Sequence, residues 1–93
     1  FYDHRSSNGQ QLATIMATQL NGDVEEIEKA KAIEARKDNW TKNAFYTIRS
    51  VGRPVAICVE PFFMDTHQSL LSMQGVFKVA SSMAIALRKW RDR

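Results

Sequence analysis

The feature that most constrains this chain is a long apolar segment near its C-terminus, from Gln68 to about Trp90. Lys78 is the only formal charge between Asp65 and Arg88. Within the segment, apolar residues recur in alternating steps of three and four, which predicts one helix with a heptad-like stripe. The stripe consists of Leu70, Met73, Phe77, Ala80, Ala84 and Leu87, and a second apolar stripe of Val76, Val79, Met83 and Trp90 widens it. A helix that is apolar around so much of its circumference must be covered on several sides.

The rest of the chain has little material with which to cover this helix. The sequence has 93 residues, which allows one small domain. Hydrophobic residues make up 44% and charged residues 25%, which excludes a disordered chain, a collagen-like repeat and a coiled-coil rod. Oligomerisation would supply the missing cover.

Two helices are predicted in the N-terminal half. Residues 1–10 are polar and contain several helix breakers, so we expect a flexible lead-in before a single domain over residues 11–93. From Gln11, the spacing of Leu12, Ile15, Met16 and Leu20 predicts a short amphipathic helix that ends at Asn21-Gly22. Residues 24–37 are dense in strong helix formers, and Asp23 precedes them as a candidate N-cap, so a second helix is predicted there.

A β-hairpin is predicted between these helices and the last one. Residues 45–51 and 55–59 are rich in aromatic and β-branched residues, and Gly52-Arg53-Pro54 between them is typical of a turn. The predicted fold class is therefore α+β, in the order α-α-β-β-α, with the long C-terminal helix against the hairpin and the fold completed by oligomerisation.

No motif predicts catalysis, a metal site or a cofactor. His4 and His67 are the only histidines, and neither lies at a spacing typical of metal ligands. Cys58 lies within an apolar run, the usual setting of an unreactive thiol. The four glycines are scattered, so no glycine-rich phosphate loop is present. We therefore expect no enzyme activity, no catalytic residues, no metal and no cofactor.

Basic and aromatic residues favour nucleic acid as the alternative partner. The net charge is +3, and cations surround an indole at the C-terminus, a composition suited to phosphates and a stacked base. The candidate residues are Arg49, Arg53, Arg88, Lys89, Trp90 and Arg91. Cations in the last turn also stabilise a helix through its dipole without any ligand.

Membrane insertion is not favoured. Residues 70–87 are long enough to span a bilayer, but Ser72, Gln74 and Lys78 make the segment polar for that role. A single cysteine in an apolar run indicates a reducing compartment, so we expect a cytoplasmic protein.

The last helix has more apolar surface than the rest of the chain can cover, which indicates a non-enzymatic protein–protein interaction or assembly module. The partner would be a second copy of the chain, in a homo-oligomer, or another subunit of a larger complex. The predicted interface residues are Leu70, Met73, Phe77, Ala80, Met83, Ala84 and Leu87. The alternative function is that of a small basic nucleic-acid-binding regulatory protein.

Overall fold

In the part of the chain that the structure describes, two helices pack together and a very small sheet lies at one end of α1. The computed structural model describes residues 1–27, 29–35 and 55–93. In chain order, the described elements are strand β1 (Tyr2–Asp3), helix α1 (Ser7–Asp23), strand β2 (Glu34–Ala35), a 3-10 turn (Gln68–Leu70) and helix α2 (Met73–Arg91). Residues 1–10, expected as a lead-in, contain β1 and the first turn of α1.

The sheet brings together three distant parts of the chain. β1 and β2 pair in parallel, with Tyr2 opposite Glu34. On its other side, Tyr2 forms an isolated antiparallel bridge with Ile57. The Cys58 N–H donates to the carbonyl oxygen of Phe1 at 3.0 Å. The start of the chain thus lies between residues 33–35 and residues 57–58.

Helix α1 begins and ends at specific hydrogen bonds. The Ser6 hydroxyl accepts from the Gly9 N–H at 2.8 Å, which satisfies one of the free amides of the first turn. At the other end, the Val24 N–H donates to the Leu20 carbonyl at 2.9 Å. The helix therefore extends beyond the predicted start at Gln11 and past the predicted end at Asn21-Gly22.

Helix α2 is capped by Ser72 and packs on α1. The Ser72 hydroxyl accepts from the Gly75 N–H at 3.0 Å. Its buried residues, here called the inner stripe, are Gly75, Val79, Ser82 and Ala86. Three of these four residues are small, so the backbones of neighbouring elements can approach closely. The core between the two helices contains Met16, Leu20, Val24, Ile27, Leu70, Val79 and Ala86.

The prediction of a second N-terminal helix over residues 24–37 is wrong for the residues that the structure describes. Val24 ends α1, a turn follows at Glu25 and Glu26, and the chain reaches β2 without a helix. The Asn21 carboxamide explains this path, because it donates to the Ala30 carbonyl and accepts from the Ala30 N–H, both at 2.7 Å. These two bonds satisfy the Ala30 backbone outside a helix.

The predicted hairpin is also not found. Its second strand, residues 55–59, contributes only the bridge at Ile57, and its first strand and turn, residues 45–54, lie outside the described residues. The order α-α-β-β-α is therefore replaced, in the described part, by two helices and a two-stranded parallel sheet.

The last helix starts later than the predicted Gln68. Residues 68–70 form a 3-10 turn, and Ser72 caps α2 after it. The break lets Leu70 enter the core with no exposed surface. Gly75 fits against it, since a Cβ at position 75 would lie 2.5 Å from the Leu70 Cα.

We predict opposite effects of alanine at two helical glycines. Gly75→Ala should lower the free energy of unfolding by about 1–3 kcal/mol, because the new methyl group overlaps the Leu70 backbone. Gly22→Ala, in the last turn of α1 with nothing within 4 Å of a Cβ, should raise it by about 0.4–1 kcal/mol. Urea denaturation of both variants measures the difference, and an equal effect at the two positions would contradict the close approach at Gly75.

Asp3 fixes the turn between β1 and α1. Its carboxylate accepts from the Arg5 guanidinium at 2.7 and 3.1 Å and from the Arg5 N–H at 2.9 Å. The side chain of Asp3 is only 10% exposed. The hydrogen bonds from Arg5 lower the pKa of the Asp3 carboxyl to about 2, against the partial desolvation that raises it.

This arrangement predicts a pH-dependent contribution to stability. Because the pKa of Asp3 is lower in the folded chain than in the unfolded chain, its contribution is present above the unfolded pKa near 4 and is lost as the pH falls towards 2. The difference in unfolding free energy between wild type and Asp3→Asn should therefore shrink as the pH falls from 7 to 2. Arg5→Gln should show the same trend, and a difference that stays constant with pH would contradict the assignment.

Candidate protein interface

A stripe of apolar side chains on α2 is exposed and does not pack against the core of the other described residues. Met73 is 91% exposed, Phe77 is 73% exposed and Leu87 is 50% exposed. Ala80 and Ala84, which lie between them, are exposed as well. We call these five residues the outer stripe. Several large apolar side chains exposed on one helix face are a common feature of protein contact sites.

The outer stripe and the inner stripe lie on different sides of the same helix. Both follow alternating steps of three and four residues, which keeps each stripe on one face. At 100° per residue, their centres are roughly 150° apart around the helix axis. Packing of α1 on the inner stripe therefore leaves the outer stripe accessible.

Two residues of the predicted interface lie elsewhere. Leu70 is fully buried in the core and does not belong to α2. Met83 is partly buried and packs against the core cluster. The structure brings the other five predicted residues together on the outer stripe.

Further apolar side chains outside the predicted set are also exposed. Leu71 and Val76, close to the start of α2, are each about half exposed. Phe63 and Met64 are more than two-thirds exposed in the loop before the 3-10 turn. The sequence signal for this loop is a run of large apolar residues after Pro61, which lies outside the predicted interface.

One ion pair joins α2 to the turn after α1. Lys78 Nζ lies 2.9 Å from Glu26 Oε1. The hydrogen bond from Lys78 lowers the pKa of the Glu26 carboxyl, and the same contact raises the pKa of the Lys78 ammonium. The one charge in the middle of α2 is thus directed towards the chain itself, and the outer stripe contains none.

The basic C-terminal end of α2 is partly engaged within the chain. The Arg93 guanidinium lies over the Trp90 ring at 4.1 Å, a cation–π contact, and donates to Gln11 Oε1 at 2.8 Å. Arg91 donates to Asp92 at 2.8 Å. A nucleic-acid base could stack on this face of Trp90 only after Arg93 leaves it.

The other residues of the predicted nucleic-acid interface are not assembled into one site. Arg88 and Lys89 are exposed in the last turn of α2. Arg49 and Arg53 lie outside the described residues. The described part of the chain therefore brings together only the C-terminal members of this set.

The histidines and the cysteine have ordinary structural contacts. His67 Nδ1 accepts from the Phe63 N–H at 3.1 Å, and the imidazole stacks near the Phe63 ring at 6.4 Å between centroids. Cys58 is partly buried beside β1. Among the residues that the structure describes, no three His, Cys, Asp or Glu side chains are grouped as metal ligands.

A cavity of about 300 Å³ lies between α1 and the segments 29–33 and 57–60. Met16 and Leu20 of α1 line it, and Lys29, Lys31 and Glu60 contribute charged groups. The lining is mainly apolar, with a few charged groups. The lining residues do not form a recognisable catalytic arrangement.

Neither α1 nor α2 has the length and hydropathy needed to cross a bilayer, a finding that covers residues 1–27, 29–35 and 55–93. Comparison with protein-family models, with curated proteins and with solved structures finds no match to this chain. The functional assignment therefore depends on the chain's own residues.

Proposed function

We propose that the chain is a non-enzymatic protein–protein interaction module, a subunit of an assembly, whose contact surface is the outer stripe of α2. The observation that carries the proposal is the exposure of Met73, Phe77 and Leu87 on one helical face. A reducing compartment such as the cytoplasm fits a chain with a single, partly buried cysteine.

The placement of large and small side chains supports this function. The inner stripe, which packs within the chain, contains Gly75, Ser82 and Ala86, whereas Met73 and Phe77 lie outside. Burial of a Met or Phe side chain contributes about 1.5–3 kcal/mol. In the single chain this contribution is not realised at either position, and it becomes available when a partner covers the stripe.

A nucleic-acid-binding function has less support from the geometry, because the Trp90 ring is covered by Arg93 and Arg91 is paired with Asp92.

We expect the double variant Arg88→Ala/Lys89→Ala to leave oligonucleotide binding and its salt dependence unchanged. Fluorescence anisotropy across a salt series measures both. If the C-terminal end of α2 bound nucleic acid, the double variant would instead bind more weakly. Its log–log salt slope would then be flatter by about two charges.

The proposal predicts that Phe77→Glu strongly weakens association through the outer stripe without unfolding the chain. A carboxylate in the middle of an apolar contact is desolvated without a partner, so association should weaken on the order of 100-fold or more. The free energy of unfolding should change by less than about 0.5 kcal/mol, because position 77 is exposed in the single chain. Sedimentation velocity and urea denaturation measure the two quantities.

Ile85→Glu is the matched control. Ile85 is 41% exposed on the same helix but lies off the outer stripe, so this variant should associate as the wild type does. A loss of about 2 kcal/mol or more in Phe77→Glu would show that position 77 is part of the chain's own core and would overturn the proposal. Equal weakening of association in both variants would also contradict a contact confined to the stripe.

A further inference from the structure

We infer that the cavity beside α1, here called the α1 cavity, binds a medium-chain fatty carboxylate. The aliphatic chain of the ligand would lie between α1 and the segments 29–33 and 57–60, and its carboxylate would lie beside Lys29 and Lys31. This site is independent of the proposed function, because no residue of the outer stripe lines the α1 cavity. The chain would then have a small-molecule ligand as well as a protein partner.

Helix α1 provides the floor of the α1 cavity. Ala13, Met16, Ala17 and Leu20 line it, and all four are buried. Their spacing of three and four residues places them on one side of the helix. The two alanines leave room beside the helix that larger side chains would fill. The floor is therefore wholly apolar and has space for a ligand.

The opposite wall is apolar as well. Ile33, Ile57 and Val59 line it, and the last two pack against the main core while remaining only partly buried. The volume of about 300 Å³ lies at the small end of the range for ligand pockets, which is about 300–1,000 Å³. Apolar walls offer water few hydrogen-bond partners, so an aliphatic chain gains free energy by entering.

The charged groups on the lining favour an anionic head on this chain. Lys29 and Lys31 contribute two ammonium groups, and Glu60 contributes one carboxylate. Both lysines are exposed, so their ammonium groups can stay in water while their stems lie along the apolar wall. Among the residues that the structure describes, no acid forms an ion pair with either lysine. Glu26, which lies nearby, is already paired with Lys78 at 2.9 Å.

A second, more polar cavity adjoins the first and gives the head group a polar setting. Its volume is about 570 Å³, and it shares Lys29, Glu60 and Phe63 with the α1 cavity. Thr66 and His67 also line it. His67 Nδ1 accepts from the Phe63 N–H, which leaves Nε2 as the donor of the neutral imidazole. An amphipathic ligand thus has apolar walls for its chain and polar donors beyond the shared residues.

The chain-length dependence of binding tests the apolar part of the site. Isothermal titration calorimetry with octanoate, decanoate and dodecanoate, each below its critical micelle concentration, measures affinity and stoichiometry. We expect one ligand per chain, with about 4-fold tighter binding for each added methylene until the cavity is full and no gain beyond that length. Several ligands per chain, or an affinity that keeps rising without a limit, would show detergent-like adsorption and overturn the inference.

The two lysines test the recognition of the carboxylate. The double variant Lys29→Gln/Lys31→Gln should bind decanoate more weakly, by on the order of 2- to 30-fold for two exposed charge pairs, and bind decanol unchanged. Arg88→Gln/Lys89→Gln is the matched control, because it removes the same charge from α2 outside both cavities. Equal weakening by the two double variants, or equal affinity of the wild type for decanoate and decanol, would overturn the anionic head.

Ala17→Leu tests the location of the aliphatic chain. The larger side chain takes up room for about two or three methylenes, so decanoate and decanol should both bind roughly 10-fold or more weakly. Urea denaturation establishes that the variant is folded. Unchanged affinity in the folded variant would place the ligand elsewhere and overturn the inference.

The single cysteine gives a second measure of location in the unaltered chain, which decides the matter if Ala17→Leu does not fold. Cys58 lines the α1 cavity and is partly buried. Decanoate should slow its alkylation by iodoacetamide, with a midpoint at the dissociation constant that calorimetry gives, whereas butanoate at the same concentrations should not. An alkylation rate that does not change at saturating decanoate would also overturn the inference. Because neither result depends on association through the outer stripe, failure here leaves the proposed function unaffected.

Discussion

The contact between Gly75 and Leu70 determines which side of α2 faces the chain. Because position 75 has no Cβ, the first turn of α2 lies directly on the Leu70 backbone, and Leu70 is completely buried. This contact directs the inner stripe towards α1. The outer stripe, roughly 150° away around the axis, then faces outwards whatever its hydrophobicity. The exposure of Phe77 is thus a consequence of how α2 begins.

The N-terminal half is held by polar contacts that local propensity does not reveal. The Asn21 carboxamide pairs with both backbone groups of Ala30, and Asp3 accepts three hydrogen bonds from Arg5. Residues 24–37 are rich in helix formers, yet Val24 and Ile27 are buried in the core, and the chain reaches β2 without a helix over the described residues. Tertiary contacts outweigh helix propensity here because propensity differences are below about 1 kcal/mol per residue.

Apolar periodicity in the sequence locates both α1 and α2 but not their ends. The start of α2 depends on the Ser72 cap and on the break that follows Leu70, and a continuous apolar pattern conceals that break. The parallel pairing of β1 with β2 joins residues more than thirty positions apart, so no local pattern predicts it. For the candidate interface, the sequence identifies the outer stripe through its large side chains. The predicted interface includes Leu70 only because Leu70 continues the three- and four-residue spacing of the stripe.

The two stripes of α2 differ in the packing that each permits. Gly75 and Ala86 on the inner stripe let α2 approach its own chain closely. Met73 and Phe77 on the outer stripe are too large for such a close approach, but they suit packing into spaces beside small residues. The heptad-like spacing is common to both, so periodicity alone does not distinguish contact within the chain from contact with a partner. Side-chain size does distinguish them: the stripe of mostly small residues packs within this chain, and the stripe with Met73 and Phe77 is left exposed by the residues that the structure describes.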